Sequence, residues 1–279
     1  MSGCDGGNMT TKCKAKLMFE VFPPKTEAGL DKLCGELDKL IELKPDCISV
    51  THGANGSNVG RQMEVLRYIK QHGCACMANV TCIDKTREDI SRFVAECEEI
   101  GVDRIFCVRG DLPKGYKDAG GDFAHASDLI VFVHSLTDIP IGAACYPEGH
   151  IEDTAYMIDS VLKNIKRTAG ASFFVSQMCY HPFIMGQDMY DDIFVGIMPV
   201  LDRERVTEMA LKNGVSIPKG LARIMGRYWD DPDGFRKAGK EYTVKIANWL
   251  IGNGSDKFQI FTMNRADDVI EIVKGAGLR

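Results

Sequence analysis

The side chains able to do chemistry fall at the ends of short apolar runs. Glu20 stands inside Phe19-Glu20-Val21-Phe22, a run that Pro23-Pro24 stops. Further along, Thr51-His52, Asn79 with Thr81, Arg109-Gly110-Asp111, Tyr146 with Glu148 and His150, Gln177, and Asn264-Arg265 each close a comparable run. A carboxyl group in an apolar strand can act as a general acid if burial keeps it protonated; it can equally cap a turn or pair with a lysine. Asp111, in Gly-Asp-Leu-Pro, also reads as a turn residue, Gln177 as a strand-end cap and His150 as a hydrogen-bonding surface histidine. No serine or cysteine has a base and an orienting acid at recognisable spacing, so the set suits binding of a large polar ligand better than covalent nucleophilic chemistry.

Bringing these run ends together requires a repeating architecture, and the chain supplies one. Apolar runs at 17–22, 47–50, 75–82, 104–108, 141–146, 172–177, 194–200 and 258–263 read as strands. Between them, helical spacing marks Leu30 to Ile41, Met63 to Ile69, Arg87 to Ile100, Ala126 to Leu136, Thr154 to Thr168, Val206 to Leu211, 218–228 and 233–251, with a last helix at 266–275. Eight strand–helix units in 279 residues predict an α/β chain folded as a (β/α)8 TIM barrel, whose strand ends converge on one rim. The competing open sheet would show a G-x-G-x-x-G turn after a strand, and none is present. Between Gln177 and Phe194 there is little room for a helix, and Pro182 and Gly186 interrupt it, which predicts a shortened sixth helix. Residues 1–14 read as a polar, Gly-rich flexible arm and 15–279 as a single barrel domain.

A net charge of −5 and a pI near 5.7 argue against a general nucleic-acid or anionic-membrane surface. No run is long enough to span a membrane and the N-terminus lacks a signal-peptide core, so the expected compartment is cytoplasmic. The eleven cysteines contain no C-x-x-C pair. Cys74-Ala75-Cys76 would share a strand face and leaves open a metal or redox pair, against the reading of small buried hydrophobes in a reducing compartment.

Five of the run ends, in order, resemble the motifs of the methylenetetrahydrofolate reductase family: Phe19-Glu20-Val21-Phe22-Pro23-Pro24-Lys25, Ser49-Val50-Thr51-His52-Gly53-Ala54, Arg109-Gly110-Asp111-Leu112-Pro113, Tyr146-Pro147-Glu148-Gly149-His150 and Thr262-Met263-Asn264-Arg265. The resemblance spans roughly residues 15–275 and implies a flavin-dependent barrel that reduces 5,10-methylenetetrahydrofolate to 5-methyltetrahydrofolate by hydride transfer from reduced FAD. Under it, Glu20 matches the general acid that protonates the bridging nitrogen. Asp111 matches an aspartate near the flavin and pterin rings, Gln177 an amide that reads the pterin edge, and Arg265 a folate contact. The positions matching the FAD site are Thr51, His52, Asn79, Arg109, Gly110, Asp111, His125, Ala126, Tyr146, His150, Asp159 and Lys166, with Asp159 and Lys166 two turns apart on one helix.

The chain departs from the family pattern at Asn79, where histidine is common, at Phe261, where tyrosine is common, and in the short stretch after Gln177. The implied electron donor is NADH, NADPH or a redox partner subunit, and a homo- or hetero-oligomer is expected. Met178, Phe183, Ile184, Met185, Met189 and Tyr190 form an apolar patch that could meet such a partner or fold back and plug the gap. Two other classes fit part of the pattern: a pterin-binding methyltransferase-type barrel without FAD, and another flavin barrel such as a proline-dehydrogenase-like enzyme.

Overall fold

A computed structural model describes residues 15–52, 61–112, 118–152, 159–181 and 192–279, the side chains of 159 and 160 excepted. Eight parallel strands close into a barrel in sequence order, each hydrogen-bonded to the next and the last to the first. They are β1 (Lys16–Val21), β2 (Cys47–Val50), β3 (Cys76–Thr81), β4 (Arg104–Val108), β5 (Ile141–Cys145), β6 (Ala171–Ser176), β7 (Ile193–Ile197) and β8 (Lys257–Phe261). The helices are α1 (Glu27–Glu42), α2 (Gln62–Gln71), α3 (Arg87–Ile100), α4 (Ala126–His134), α5 (Asp159–Ala169), α6 (Arg203–Asn213), α7 (Lys219–Arg227), α8 (Pro232–Gly252) and α9 (Ala266–Gly275). The predicted (β/α)8 barrel is the fold observed.

Local chemistry explains where the elements begin and end. Thr86 and Asp89 form a reciprocal capping box at the start of α3, and Gly101, left-handed at φ 74°, ends it. Asp202 caps α6 through Arg205 N and Asp231 caps α8 through Gly234 N, with Pro232 in its first turn.

Strand alternation divides the side chains between two cores. Outward residues such as Phe19, Ile48, Ala78, Cys107 and Phe258 pack under the helices. Inward residues Met18, Cys47, Met77, Phe106, Val175 and Phe194 fill the barrel lumen. Two residues further on, β1, β2 and β3 place Glu20, Ser49 and Asn79 over that apolar plug, and β8 adds Gln259. The lumen is therefore sealed below and polar above, which makes the C-terminal mouth the place for a ligand.

Residues 177–181 contain no helix, and 182–191, which include Pro182, Phe183, Ile184, Gly186, Met189 and Tyr190, lie outside the described residues. Met178 is 2% exposed, and Cys179 and Tyr180 are also buried, with Tyr242 on α8 donating its hydroxyl to Tyr180 O at 3.3 Å. Met178 therefore does not belong to an outer apolar patch; this part of the connection folds back onto the core. The predicted 1–14 arm also lies outside the described residues.

Cys74 and Cys76 are both free thiols buried under the sheet, and burial pushes the latter up to about 12, away from the thiolate a metal or redox site needs. Among the described residues no cluster of metal-ligating side chains gathers. No helix among them is long and apolar enough to cross a membrane.

Candidate active site

The barrel mouth holds a cavity of about 490 Å³. Of the residues singled out in the sequence, Glu20, Asn79, Arg109, Gly110, Asp111, Tyr146, His150 and Gln177 all line it, together with Phe261. A second hollow of about 390 Å³ runs outward between β4, β5, α4 and α5. It is lined by His125, Ala126 and Lys166, and it shares Val108, Arg109, Ala144, Tyr146, His150 and Glu152 with the first. The two make one long trough. Asp159 begins α5, but its side chain is outside the described set.

Glu20 sits on the inner wall, half-buried, and its backbone is tightly fixed. Its carbonyl accepts from Thr262 N (3.1 Å) and Thr262 Oγ1 (2.6 Å). Next to it, Phe22 and Asn264 exchange two hydrogen bonds of 2.9 Å. That exchange holds Met263 and Asn264 at φ 52° and 54°, a left-handed conformation costly outside glycine and kept here because it ties β8 to β1. The carboxyl group accepts from Gln259 Nε2 at 3.1 Å. Burial raises its pKa from 4.5 to about 7, and a hydrogen bond from Asn79 opposes part of that rise. Glu20 is thus a carboxylic acid able to hold or release a proton near neutrality.

Across the mouth, Asp111 pairs with Lys212 on α6 at 2.7 Å, both side chains being mainly exposed. Gly110 has φ +88°, and a Cβ there would come within 3.0 Å of Ile83 and 3.2 Å of Thr81, so only glycine lets this loop lie against β3. Arg109 makes a two-pronged contact with Glu152 at 2.6 and 2.9 Å, and the guanidinium holds the Glu152 carboxyl below its usual range. Gln177 is engaged at both ends of its amide: Nε2 donates to Asn213 Oδ1 at 3.0 Å and Oε1 accepts from Met178 N at 2.8 Å. In the outer hollow, Lys166 donates to Ala144 O at 2.6 Å and lies 5.5 Å from the centre of the Tyr146 ring, which itself meets His150 edge-on.

Three expected residues sit elsewhere. Thr51 and His52 line neither hollow: His52 turns toward α2, donating Nδ1–H to Gln62 Oε1 at 3.2 Å, and its buried Nε2 has no partner among the described residues. Burial and the positive charge of Lys85 lower the His52 pKa and keep it neutral. Arg265 lines an adjoining bay with Arg205, Asp202 and Glu208, joined to the mouth through Met198 and Met263. There its Nε pairs with Asp268 at 3.0 Å.

Gln259, Lys212, Asn213 and Glu152 also line the mouth and were not singled out from the sequence. Gln259 had a readable signal: it is the one polar residue inside Phe258-Gln259-Ile260-Phe261, as Glu20 is inside β1. The others belong to helices or loops whose contact with the mouth exists only after folding.

Residues 8–277 match the model of the family described as methylenetetrahydrofolate reductase. The chain is 30% identical over 272 residues to the 5,10-methylenetetrahydrofolate reductase of Escherichia coli (strain K12), covering 94% of this chain and 90% of that one. It is 29% identical over 277 residues to the enzyme of the same name from Pectobacterium carotovorum subsp. carotovorum, covering 95% and 91%. Among solved structures, a protein from Clostridium thermocellum described as binding two copies of 5-methyl-5,6,7,8-tetrahydrofolic acid superposes with a TM-score of 0.66 over 94% of each chain at 15% identity, a likeness of fold. With the motif order, the barrel and the full-length match in agreement, this chain belongs to the methylenetetrahydrofolate reductase family.

Proposed function

We propose that this chain reduces 5,10-methylenetetrahydrofolate to 5-methyltetrahydrofolate with FAD held in the trough, and that Glu20 is its general acid. The observation that carries the reading is Glu20 itself, a carboxyl group whose proton affinity is raised to about 7 on the wall of a cavity large enough for a heteroaromatic ligand.

The residues present fit a dinucleotide. Two joined hollows, one in the barrel mouth and one beside α4 and α5, match a flavin ring and a nucleotide tail. Lys166 places a cation in the outer hollow for the pyrophosphate, and Leu162 and Ile165 give it an apolar wall. When bound, FAD supplies the hydride.

The chain supplies the rest. Glu20 delivers a proton to the bridging nitrogen of the substrate, and the five-membered ring opens to a cation. Asp111 carries negative charge at the rim, where it stabilises that cation and disfavours extra charge on the flavin. In this reading Gln177 reads the pterin edge once a ligand competes for its amide, and Arg265, from the adjoining bay, meets the far end of the folate. The Met18, Met77, Phe106 and Phe194 plug excludes water from below. Electrons arrive from NADH, NADPH or a partner protein.

The test is spectral and anaerobic. The purified protein is expected to be yellow, to bleach with a reductant and to recolour on adding methylenetetrahydrofolate, with flavin occupancy reduced in a Lys166→Met variant. A colourless protein that binds folates with full affinity and does not take up added FAD would favour the methyltransferase-type reading; recolouring by a proline-derived product and not by the folate would favour the proline-dehydrogenase-like one.

A further inference from the structure

Glu20 is held by two amides that differ in their freedom. Asn79 is fixed because its Oδ1 accepts from Ser49 Oγ at 2.8 Å, leaving its nitrogen to face the carboxyl group. Gln259 is fully buried and donates Nε2–H to Glu20 Oε2 at 3.1 Å, while its buried Oε1 has no donor among the described residues. An ionised carboxylate only accepts, so two amide nitrogens suit it. A carboxylic acid must also place its own O–H against an acceptor. Asn79 offers one only if the Ser49 hydroxyl that donates to its Oδ1 turns with it, whereas Gln259 can turn without disturbing another hydrogen bond. Gln259 has one unpartnered end in either orientation, so what Glu20 presents decides which way its amide lies.

We propose that Gln259 is a positioning residue for Glu20, a two-way amide that donates to the carboxylate and turns over to accept from the carboxylic acid. The inference rests on Glu20 being the general acid. In the proton-transfer step, the Glu20 O–H bond breaks and an N–H bond forms at the substrate's bridging nitrogen. The carboxylate left behind is then received by Gln259 Nε2–H. No electrons move in that step.

The other groups near Glu20 do not perform this task. β2 presents Ser49, β3 presents Asn79, β8 presents Phe261 and the loop after it Thr262, all uncharged. The charged and titratable groups sharing the cavity are Arg109, Glu152, Asp111, Lys212, Tyr146 and His150. Of these, Arg109 is paired with Glu152 and Asp111 with Lys212.

The experiment is the pH profile of the folate half-reaction, measured by stopped-flow reoxidation of the reduced flavoprotein, in the wild type, Gln259→Met and Gln259→His. Methionine matches glutamine in length but makes no comparable hydrogen bond; imidazole can donate or accept. The Gln259→Met variant is expected to be slowed about tenfold, with its midpoint raised by about one pH unit because the carboxylate has lost a donor. Histidine at this position is expected to restore the midpoint to within about half a unit. A slowed Gln259→Met variant with an unmoved midpoint would overturn the proposal, because packing alone would account for it. Infrared pH-difference spectra of the wild type against Glu20→Gln read the same point without a Gln259 variant. A change in the glutamine side-chain amide bands that accompanies Glu20 protonation and is absent in Glu20→Gln supports the two-way amide, whereas amide bands that ignore Glu20 protonation refute it. If Glu20→Gln leaves the folate half-reaction intact, the general-acid reading fails first; if it abolishes that step while the midpoint ignores position 259, only the Gln259 inference fails.

Discussion

Replacing Glu20 by glutamine should make the protein more stable above neutral pH while removing its folate chemistry, and the structure gives the size of the effect. The folded-state pKa of about 7 lies above the ordinary 4.5, with burial as the main cause. Between those values the folded protein holds a proton that the unfolded chain has released, so stability falls as pH rises through the window and stays lower above it. A shift of that size corresponds to at most about 3 kcal/mol, at roughly 1.4 kcal/mol per unit. Because the carboxyl group borders a cavity open to water, a working figure is about 2 kcal/mol.

Glutamine has nearly the same shape and never ionises, so it avoids that cost. The variant minus wild-type difference in unfolding free energy should be near zero at about pH 4 and about 2 kcal/mol in favour of Glu20→Gln at about pH 8.5, or a melting shift on the order of 5 °C. The assay is urea or thermal unfolding of both proteins at several pH values, using the difference so that other titrating groups cancel. The same samples should show folate reduction lowered by about 10²-fold or more with flavin retained. Parallel stability curves from about pH 4 to about pH 8.5 would refute the raised carboxyl and, with it, the main support for Glu20 as the acid.

Two further perturbations test the rim and its supports. Asp111→Asn should raise the potential of the bound flavin by on the order of 30 mV and slow the folate half-reaction, while Lys212→Met should lower the potential by exposing the Asp111 charge; potentials unchanged in both would reduce the pair to a surface contact. Asp268 is 3% exposed and meets Arg236, Arg265 and Lys240. Since those cations are partly exposed and can return to water, Asp268→Ala should cost about 2 kcal/mol and not the larger penalty of a stranded buried charge, with a raised KM for the folate as Arg265 loses its anchor; a loss under about 0.5 kcal/mol in urea unfolding would count against that clamp.

How much of this was readable before folding depends on the range of the interactions that decide each feature. β2, α3, β4 and α9 have the bounds expected from the chain, because local signals set them: the Thr86 and Asp89 box and Gly101 are all within one helix. The convergence of Glu20, Asp111 and Gln177 was legible because a barrel sends every strand end to one rim. Strand-end position alone does not say which way a side chain turns, and at His52 and Arg265 the direction is set by partners on other elements. His52 leans outward because Gln62, whose Nε2 also donates to Val50 O and Asn79 O, offers it a buried partner on α2. Arg265 is drawn into the adjoining bay by Asp268, a carboxylate only three residues away but committed to Arg236 on α8.

The same logic explains why the polar layer around Glu20 is where sequence and structure part most usefully. Ser49, Asn79 and Gln259 each look like minor interruptions in apolar strands, separated by 30 to 239 residues from what they touch. Barrel closure places them side by side over an apolar plug, and none carries a charge. A cation in that layer would fix Glu20 as a carboxylate, and an apolar layer would keep it protonated at all working pH values. Neutral amides do neither, which leaves the carboxyl group balanced near neutrality and able both to give up a proton and to take it back. The uncharged character of the layer, more than any one member of it, is what makes acid catalysis at Glu20 physically consistent with this fold.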